Sequence, residues 1–212
     1  MSNDTPTTSK QTKGQLTAQR ILDAAEDLFS ARGYEGTTLR EIAAKAQIQE
    51  PGLYNHFAGK RALYEAVLHR ALNPMAEALG AHLGQASGLR DYTDLPSIMT
   101  DLLLDHPQIS ALFQQAMQGE SDSLGNQLVR NWLERLFKDG VMSLSESGKL
   151  GEGEQDPSAL AISVIAMFNL TTGYFLSQRA FETMAEGDLQ APENIARQKR
   201  LLHRVMRAML IS

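Results

Sequence analysis

The stretch Thr38–Phe57, TLREIAAKAQIQEPGLYNHF, constrains this chain more than any other part of it. Thr38 followed three residues later by Glu41 is a capping box, so a helix starts at Leu39. Leu39, Ile42, Ala43 and Ala46 recur at helical spacing and form a face that can be buried. Ala43 and Ala44 are small, so a neighbouring helix can approach closely. Ile48 plugs the turn that follows. Gln49 is a weak cap for a second short helix, and Pro51 lies just inside it, where a missing N–H costs little. Leu53 and Phe57 point inward, which leaves Tyr54, Asn55 and His56 facing outward or sideways.

The flanks supply a core for this pair. Upstream, Thr17 caps a helix running to about Arg32 with a stripe of Ile21, Ala24, Ala25, Leu28 and Phe29, and Gly33 ends it in a left-handed turn. Downstream, Lys60 opens a helix with Leu63, Tyr64, Val67, Leu68 and Leu72 on its inner side. Three helices and the start of a fourth suffice for a small core. Two short helices joined by a turn of about three or four residues are the unit that sets its second helix in the major groove of DNA.

The segment ILDAAEDLFSARGYEGTTLREIAAKAQIQEPGLYNHFAGKRALYEAV is similar to the N-terminal domain of the tetracycline-repressor (TetR) family of bacterial transcription regulators. The resemblance covers Leu16 to Leu72 and rests on LFSARGY, TTLREIA, LYNHF and Lys60 in this order and spacing. It implies that Thr38 and Arg40 touch the phosphate backbone or adjacent bases. Gln49, Glu50, Pro51 and Gly52 match the base-reading start of the recognition helix. Tyr54 and His56, with Asn55 between them, match the phosphate-bonding end, and Lys60 matches a contact at a helix N-terminus. Phosphate contacts of this kind fix register and base-edge contacts specify sequence. Three positions depart from the family pattern. Gln47 stands where a turn glycine is usual and is expected at positive φ. Glu50 replaces a basic or small residue, and Gly52 replaces a side chain that often meets a thymine methyl. These departures bear on the operator sequence rather than on the mode of binding.

Net charge is −5 over 212 residues. Through Leu72 there are nine Lys/Arg and eight Asp/Glu, and beyond it eleven and seventeen, so the acidic excess belongs to the second part. With a basic excess of only one, the first part is expected to bind DNA with modest nonspecific affinity and to rely on a dimer to double its contacts. The absence of Cys excludes disulfides and thiolate metal sites. Residues 1–15 are polar and read as a disordered arm rather than a signal peptide, which with the composition suits a soluble bacterial cytoplasmic protein.

The remainder, residues 73–212, reads as further helices: Met75–Gln85, Leu95–Leu104, a restart at His106-Pro107 running to Gly119, Ser123–Leu144, Pro157–Met184 and Pro192–Leu210. Gly148–Asp156 reads as an acidic loop. There is no strand alternation and no repeat. The fold class is therefore all-α: a helix-turn-helix domain at 16–72 and a helical effector-binding and dimerisation domain at 73–212. The uncharged run between Asp156 and Arg179 is too polar for a membrane span and suits a core-plus-interface helix. The resemblance implies a homodimer built on the last two helices, with Leu160, Val164, Gly173, Ile195, Leu202, Val205, Met206 and Met209 as interface candidates. Phe113, Met117, Trp132, Leu136, Phe168, Asn169 and Tyr174 mix bulky apolar groups with a few polar ones, as small-molecule pockets do, and suit an apolar or aromatic effector. Arg197, Lys199, Arg200, Arg204 and Arg207 read as a solvated face, and Asp101, Asp105 and His106 as exposed acids beside a turn histidine rather than a metal site.

No nucleophile motif, phosphate-binding glycine loop or HExxH zinc signature is present, so the reading is not an enzyme and no cofactor is expected. The resemblance implies a repressor released from double-stranded operator DNA by a small-molecule effector. A ligand-responsive activator, or a helical dimeric interaction module without DNA binding, are the alternatives; the second leaves Tyr54, His56 and Lys60 without a role.

Overall fold

The computed structural model describes residues 12–85, 92–106, 108–118, 120, 122–146 and 157–211, and every regular element among them is helical. It divides into two compact units, Met1–Val67 and Leu68–Ser212, with the divide inside one continuous helix. The first unit holds α1 (Lys13–Arg32), α2 (Leu39–Lys45), α3 (Glu50–Leu53) and the opening turns of α4 (Lys60–Gln85).

Helix α1 begins earlier than the sequence suggests. Thr12 is its cap: the Gln15 N–H donates to the Thr12 hydroxyl and the Thr12 N–H donates to the Gln15 side chain. Thr17 instead lies inside the helix, donating to the Lys13 carbonyl at 3.0 Å. Residues 13–15 of the expected arm are thus helical, because a capping box upstream satisfies the free N–H groups better than an interior threonine does. Residues 1–11 lie outside the described residues. Ile21, Ala25, Phe29, Ile42, Leu53, Leu63 and Val67 are fully buried and form the core of this unit.

Gly33 caps α1 at φ 69° and ψ −179°. The φ is positive as expected, but the extended ψ places it in a region essentially reserved for glycine rather than in the left-handed helical well. Gly36 is constrained differently: a Cβ there would come within 2.4 Å of the Arg32 carbonyl oxygen. Gly36→Ala is expected to cost about 1–3 kcal/mol, read as a lower urea midpoint at unchanged m-value.

The second unit holds the rest of α4 with α5 (Leu95–Asp105), α6 (Gln108–Gln118), α7 (Leu124–Glu146), α8 (Pro157–Phe175), α9 (Gln178–Met184) and α10 (Pro192–Ile211). Two expectations are corrected. Helix α4 does not stop at Asn73-Pro74 but carries Pro74 in its interior. Proline removes one ladder bond at about 3 kcal/mol. Leu72, Met75 and Leu79, all nearly fully buried, hold the helix together across that step. Conversely, the helix expected over Pro157–Met184 breaks after Phe175, where the Leu176 and Ser177 N–H groups tighten onto the Gly173 and Tyr174 carbonyls. Ser177 also donates its hydroxyl to the Gly173 carbonyl at 2.7 Å, a local bond that competes with the helical ladder. The 148–156 loop lies outside the described residues.

Helix α5 packs on α8 and α10, and α6 packs on α7 and α8. Among the described residues, no helix is long and apolar enough to cross a membrane.

Candidate nucleic-acid interface

The helix pair is fixed from behind. The Thr38 backbone N–H and hydroxyl both donate to the Glu41 carboxylate, at 2.9 and 2.7 Å, while the Glu41 N–H returns to the Thr38 hydroxyl. Arg32 on α1 reaches the same carboxylate at 2.8 Å, and Lys45 reaches Asp27 at 2.9 Å, so two ion pairs fasten α2 to α1. Buried Thr37 donates its hydroxyl to the Gly33 carbonyl at 2.9 Å, closing the connection between them.

The Thr38 hydroxyl bond, chiefly, holds the Glu41 carboxyl below its ordinary 4.5, with the Thr38 N–H and Arg32 adding to the effect. A depressed folded value means that this stabilisation is present above the unfolded value and is lost as pH falls through the lower folded one. Glu41→Gln is therefore expected to flatten the acid limb of stability between about pH 5 and pH 3, measured by urea titration at each pH.

The turn that aims the second helix runs through Gln47, at φ 57°, the single non-glycine residue of positive φ among the described residues. The sequence anticipates this residue and its strain. Its N–H bonds the Ala44 carbonyl, and the Ile48 N–H bonds the Ala43 carbonyl. Gln49 then caps α3 without a side-chain bond, and the proline sits in the first turn. Leu53 is fully buried and pins α3 to the core. The opposite side of the segment leaves Gln49, Pro51, Tyr54 and Asn55 exposed, with Glu50, Gly52 and His56 half-buried. Tyr54 is 54% exposed.

Thr38 and Arg40 are exposed at the start of α2, and Arg40 has no ion-pair partner among the described residues. Lys60 opens α4, and its ammonium sits 4.3 Å from the centroid of the Tyr34 ring. That ring is one of three that pack together, Phe29, Tyr34 and Tyr64, with centroids 4.9–6.2 Å apart. Burial pushes the Tyr64 phenol up to about 12, so it stays neutral and acts as part of the core. The lysine is held by a cation–π contact, and no carboxylate among the described residues pairs with it.

Ala44 and Gln47 are also exposed beside these residues, and neither was a candidate from sequence. The positive φ of the turn was the available signal, because it swings Gln47 outward. Gly52 has nothing within 4 Å of where a Cβ would lie. Gly52→Ala is expected to fold normally, with a melting temperature within about 2 °C of the parent, and to change operator affinity alone.

The effector candidates do not come together as one pocket. Phe113, Trp132 and Phe168 are buried against one another, with ring centroids 4.1–6.4 Å apart, and Trp132 donates its indole N–H to the Leu72 carbonyl at 3.1 Å. They are a filled core cluster. Met117 and Asn169 are turned outward. Tyr174 donates its hydroxyl to the Leu189 carbonyl at 2.6 Å and lines a separate apolar cavity of about 200 Å³ with Phe181, Leu189, Leu201 and Leu202. The side chain of Leu136 lies outside the described residues.

The interface candidates need a similar correction. Ile195 and Leu202 are buried within the protomer, where α10 packs on α5 and α8, and so present nothing to a second copy. Gly173, Val205, Met206 and Met209 are half-buried, and the side chains of Leu160 and Val164 lie outside the described residues. From α8 onward, the exposed large apolar residues among the described ones are instead Ile162, Ile165, Leu170 and Leu176 on and just after α8, Met184 on α9 and Leu201 on α10. A stripe of apolar residues locates the inner side of an amphipathic helix, and on α10 that inner side includes Ile195 and Leu202.

Comparison with known proteins follows the same outline. The family model for bacterial regulatory proteins of the tetR family matches residues 21–67. The chain is 32% identical over 123 residues to the HTH-type transcriptional regulator RutR of Escherichia coli, and that match spans 58% of each protein. It is 35% identical over 171 residues to the HTH-type transcriptional regulator YvkB of Bacillus subtilis, covering 76% of this chain and 82% of YvkB. A TetR-like transcriptional regulator from Rhodococcus sp. RHA1 shares the fold with a TM-score of 0.65 and 25% identity, over 96% of this chain and 100% of that one.

Proposed function

This chain belongs to the tetR family of bacterial regulatory proteins, and from that premise we propose that it is a homodimeric DNA-binding repressor that leaves its operator when a small molecule binds the second unit. The observation that carries the reading is the two-sided recognition segment. Leu53 anchors it, while Gln49, Pro51, Tyr54 and Asn55 stand together in solvent. A catalytic or packing role would need those groups converging in a cleft or buried.

In this reading Gln49, Glu50, Pro51 and Gly52 meet base edges. Thr38, Arg40, Tyr54, His56 and Lys60 meet phosphates, with Asn55 at the edge of the contact. Glu50 repels phosphate and favours a cytosine amino group, which makes it a selector rather than an affinity residue. Two recognition segments about one DNA turn apart, roughly 34 Å, engage one face of the duplex. An effector that binds a conformer of different spacing weakens the operator complex by its differential affinity for the two states.

The test is binding to the promoter DNA of the chain's own gene by fluorescence anisotropy. Specific binding at least about a thousandfold tighter than to a shuffled duplex supports the reading. Equal affinity for both duplexes rejects it. Unchanged operator affinity across a broad effector screen rejects the induction part alone.

The dimer is supported by the apolar face of α8, where Ile162 and Ile165 are more than half exposed. Ile165→Glu is expected to give a monomer in analytical ultracentrifugation and to abolish tight operator binding, since a single reading head loses the effective-concentration advantage of roughly a hundredfold or more. A dimeric Ile165→Glu variant would place the interface elsewhere.

A further inference from the structure

We propose that the groove between α5 and α10 binds a compact phosphate-type dianion carried by a small molecule. The groove has a volume of about 570 Å³ and is lined by Ser97 of α5 and by Arg197, Lys199, Arg200, His203 and Arg204 of α10. That size falls within the roughly 300–1,000 Å³ that small ligands occupy.

The charge pattern begins in the sequence. From Asn194 to the end of the chain there are five Lys/Arg and no Asp or Glu, inside a half that is acidic overall. The fold then sorts those cations. Lys199 is paired with Asp101, which fastens α10 to α5, and His203 Nδ1 lies 3.6 Å from Asp94 Oδ1. Arg197 donates to the Asn194 side-chain oxygen at 2.6 Å. Arg200 and Arg204 are exposed and have no ion-pair partner among the described residues.

Arg200 and Arg204 are one turn apart on the same face, where two like charges repel each other. An anion between them removes that repulsion, and the planar guanidinium groups match phosphate oxygens two at a time. The half-buried Ser97 hydroxyl adds a neutral donor from the first turn of α5. The same geometry disfavours a long polyanion such as duplex DNA. Asp94 and Asp101 keep about half of their side-chain surface in solvent at the groove edge, and a phosphate backbone would meet both carboxylates.

The experiment is calorimetric titration of the full chain with inorganic phosphate and with pyrophosphate, at ionic strength held constant with sodium chloride. Saturable binding in the millimolar range or tighter is expected, with pyrophosphate the stronger. Arg200→Gln with Arg204→Gln is expected to weaken it at least about tenfold. Arg179→Gln, an exposed arginine of α9 that does not line the groove, should leave it unchanged. The melting temperature of each variant, read without anion, shows that the fold is intact. Absence of saturable heat, equal binding by the double variant, or an equal loss in Arg179→Gln would each overturn the site. So would a double variant that loses duplex DNA affinity while phosphate never binds, since the stripe would then be a nucleic-acid contact. The phosphate and pyrophosphate titrations depend on neither the operator nor the effector assignment.

Discussion

Operator binding by a Tyr54→Ala, Lys60→Ala variant is expected to fall by at least about a hundredfold at moderate salt, on every sequence tested, with the fold intact. In the proposed complex both residues meet phosphates, so their loss should weaken binding without changing sequence preference. The two substitutions separate by their salt dependence. Lys60 carries a charge that no carboxylate among the described residues offsets, so each protomer should release about one counterion fewer when it is removed. For a dimer the slope of log affinity against log salt should fall in magnitude by about two. Tyr54 is a neutral donor, and its removal should shift the line down while leaving the slope nearly unchanged. An unaltered slope in Lys60→Ala would reject the phosphate contact. Altered base preference in Tyr54→Ala would move that side chain from the backbone to the bases. Lys60 also rests on the Tyr34 ring. Lys60→Arg keeps both charge and cation–π contact and should retain most of the affinity, which distinguishes a lost phosphate contact from a shifted α4.

The largest stability effect is expected at Trp132. The residue is 2% exposed, packs edge-on against both Phe113 and Phe168, and donates its indole N–H to the Leu72 carbonyl. Trp132→Ala removes this packing and opens a cavity, costing about 3–5 kcal/mol. For a chain of this length that is a fall in melting temperature of roughly 6–20 °C. Trp132→Phe keeps most of the ring contact and loses the hydrogen bond, so it should recover more than half of the difference. The same pair of variants tests what the aromatic cluster is. A filled core predicts the large loss. A preformed ligand pocket predicts a small one, because a side chain lining an empty cavity gives up few contacts on truncation.

The recognition segment was legible in the sequence because its determinants are local. A capping box at Thr38 and Glu41, a turn residue forced to positive φ at Gln47, a proline in the first turn of α3 and the inward Leu53 each act within a few residues. Thr12 escaped notice because its capping box with Gln15 lies in a polar stretch whose first apolar residue, Leu16, is exposed and marks no buried face. Pro74 misled in the opposite direction. Local chemistry argues for a break there, and the burial of Leu72, Met75 and Leu79 in the second unit overrides it.

The second unit was harder to read because its questions concern which side of each helix faces what. The spacing of Ile195, Leu202 and Met209 identifies one apolar stripe on α10, but a stripe does not say whether its neighbour belongs to the same chain. Helix α8 carries no charge at all, so its sequence offers no contrast by which to tell the buried Met167 and Phe168 from the exposed Ile162 and Ile165. Nor could spacing show that Lys199 pairs with Asp101 and that His203 lies beside Asp94, while Arg200 and Arg204 have no ion-pair partner among the described residues.

The amino-acid sequence alone determined the helical class, the helix-turn-helix and the residues it presents, because capping, turn strain and periodicity are interactions between near neighbours along the chain. Tertiary structure alone decided which apolar stripes are core, that the aromatic trio is buried together, and which cations have no ion-pair partner among the described residues. Those outcomes depend on contacts between residues as distant as Asp101 and Lys199, or Leu72 and Trp132, and only the folded arrangement of helices brings such pairs together.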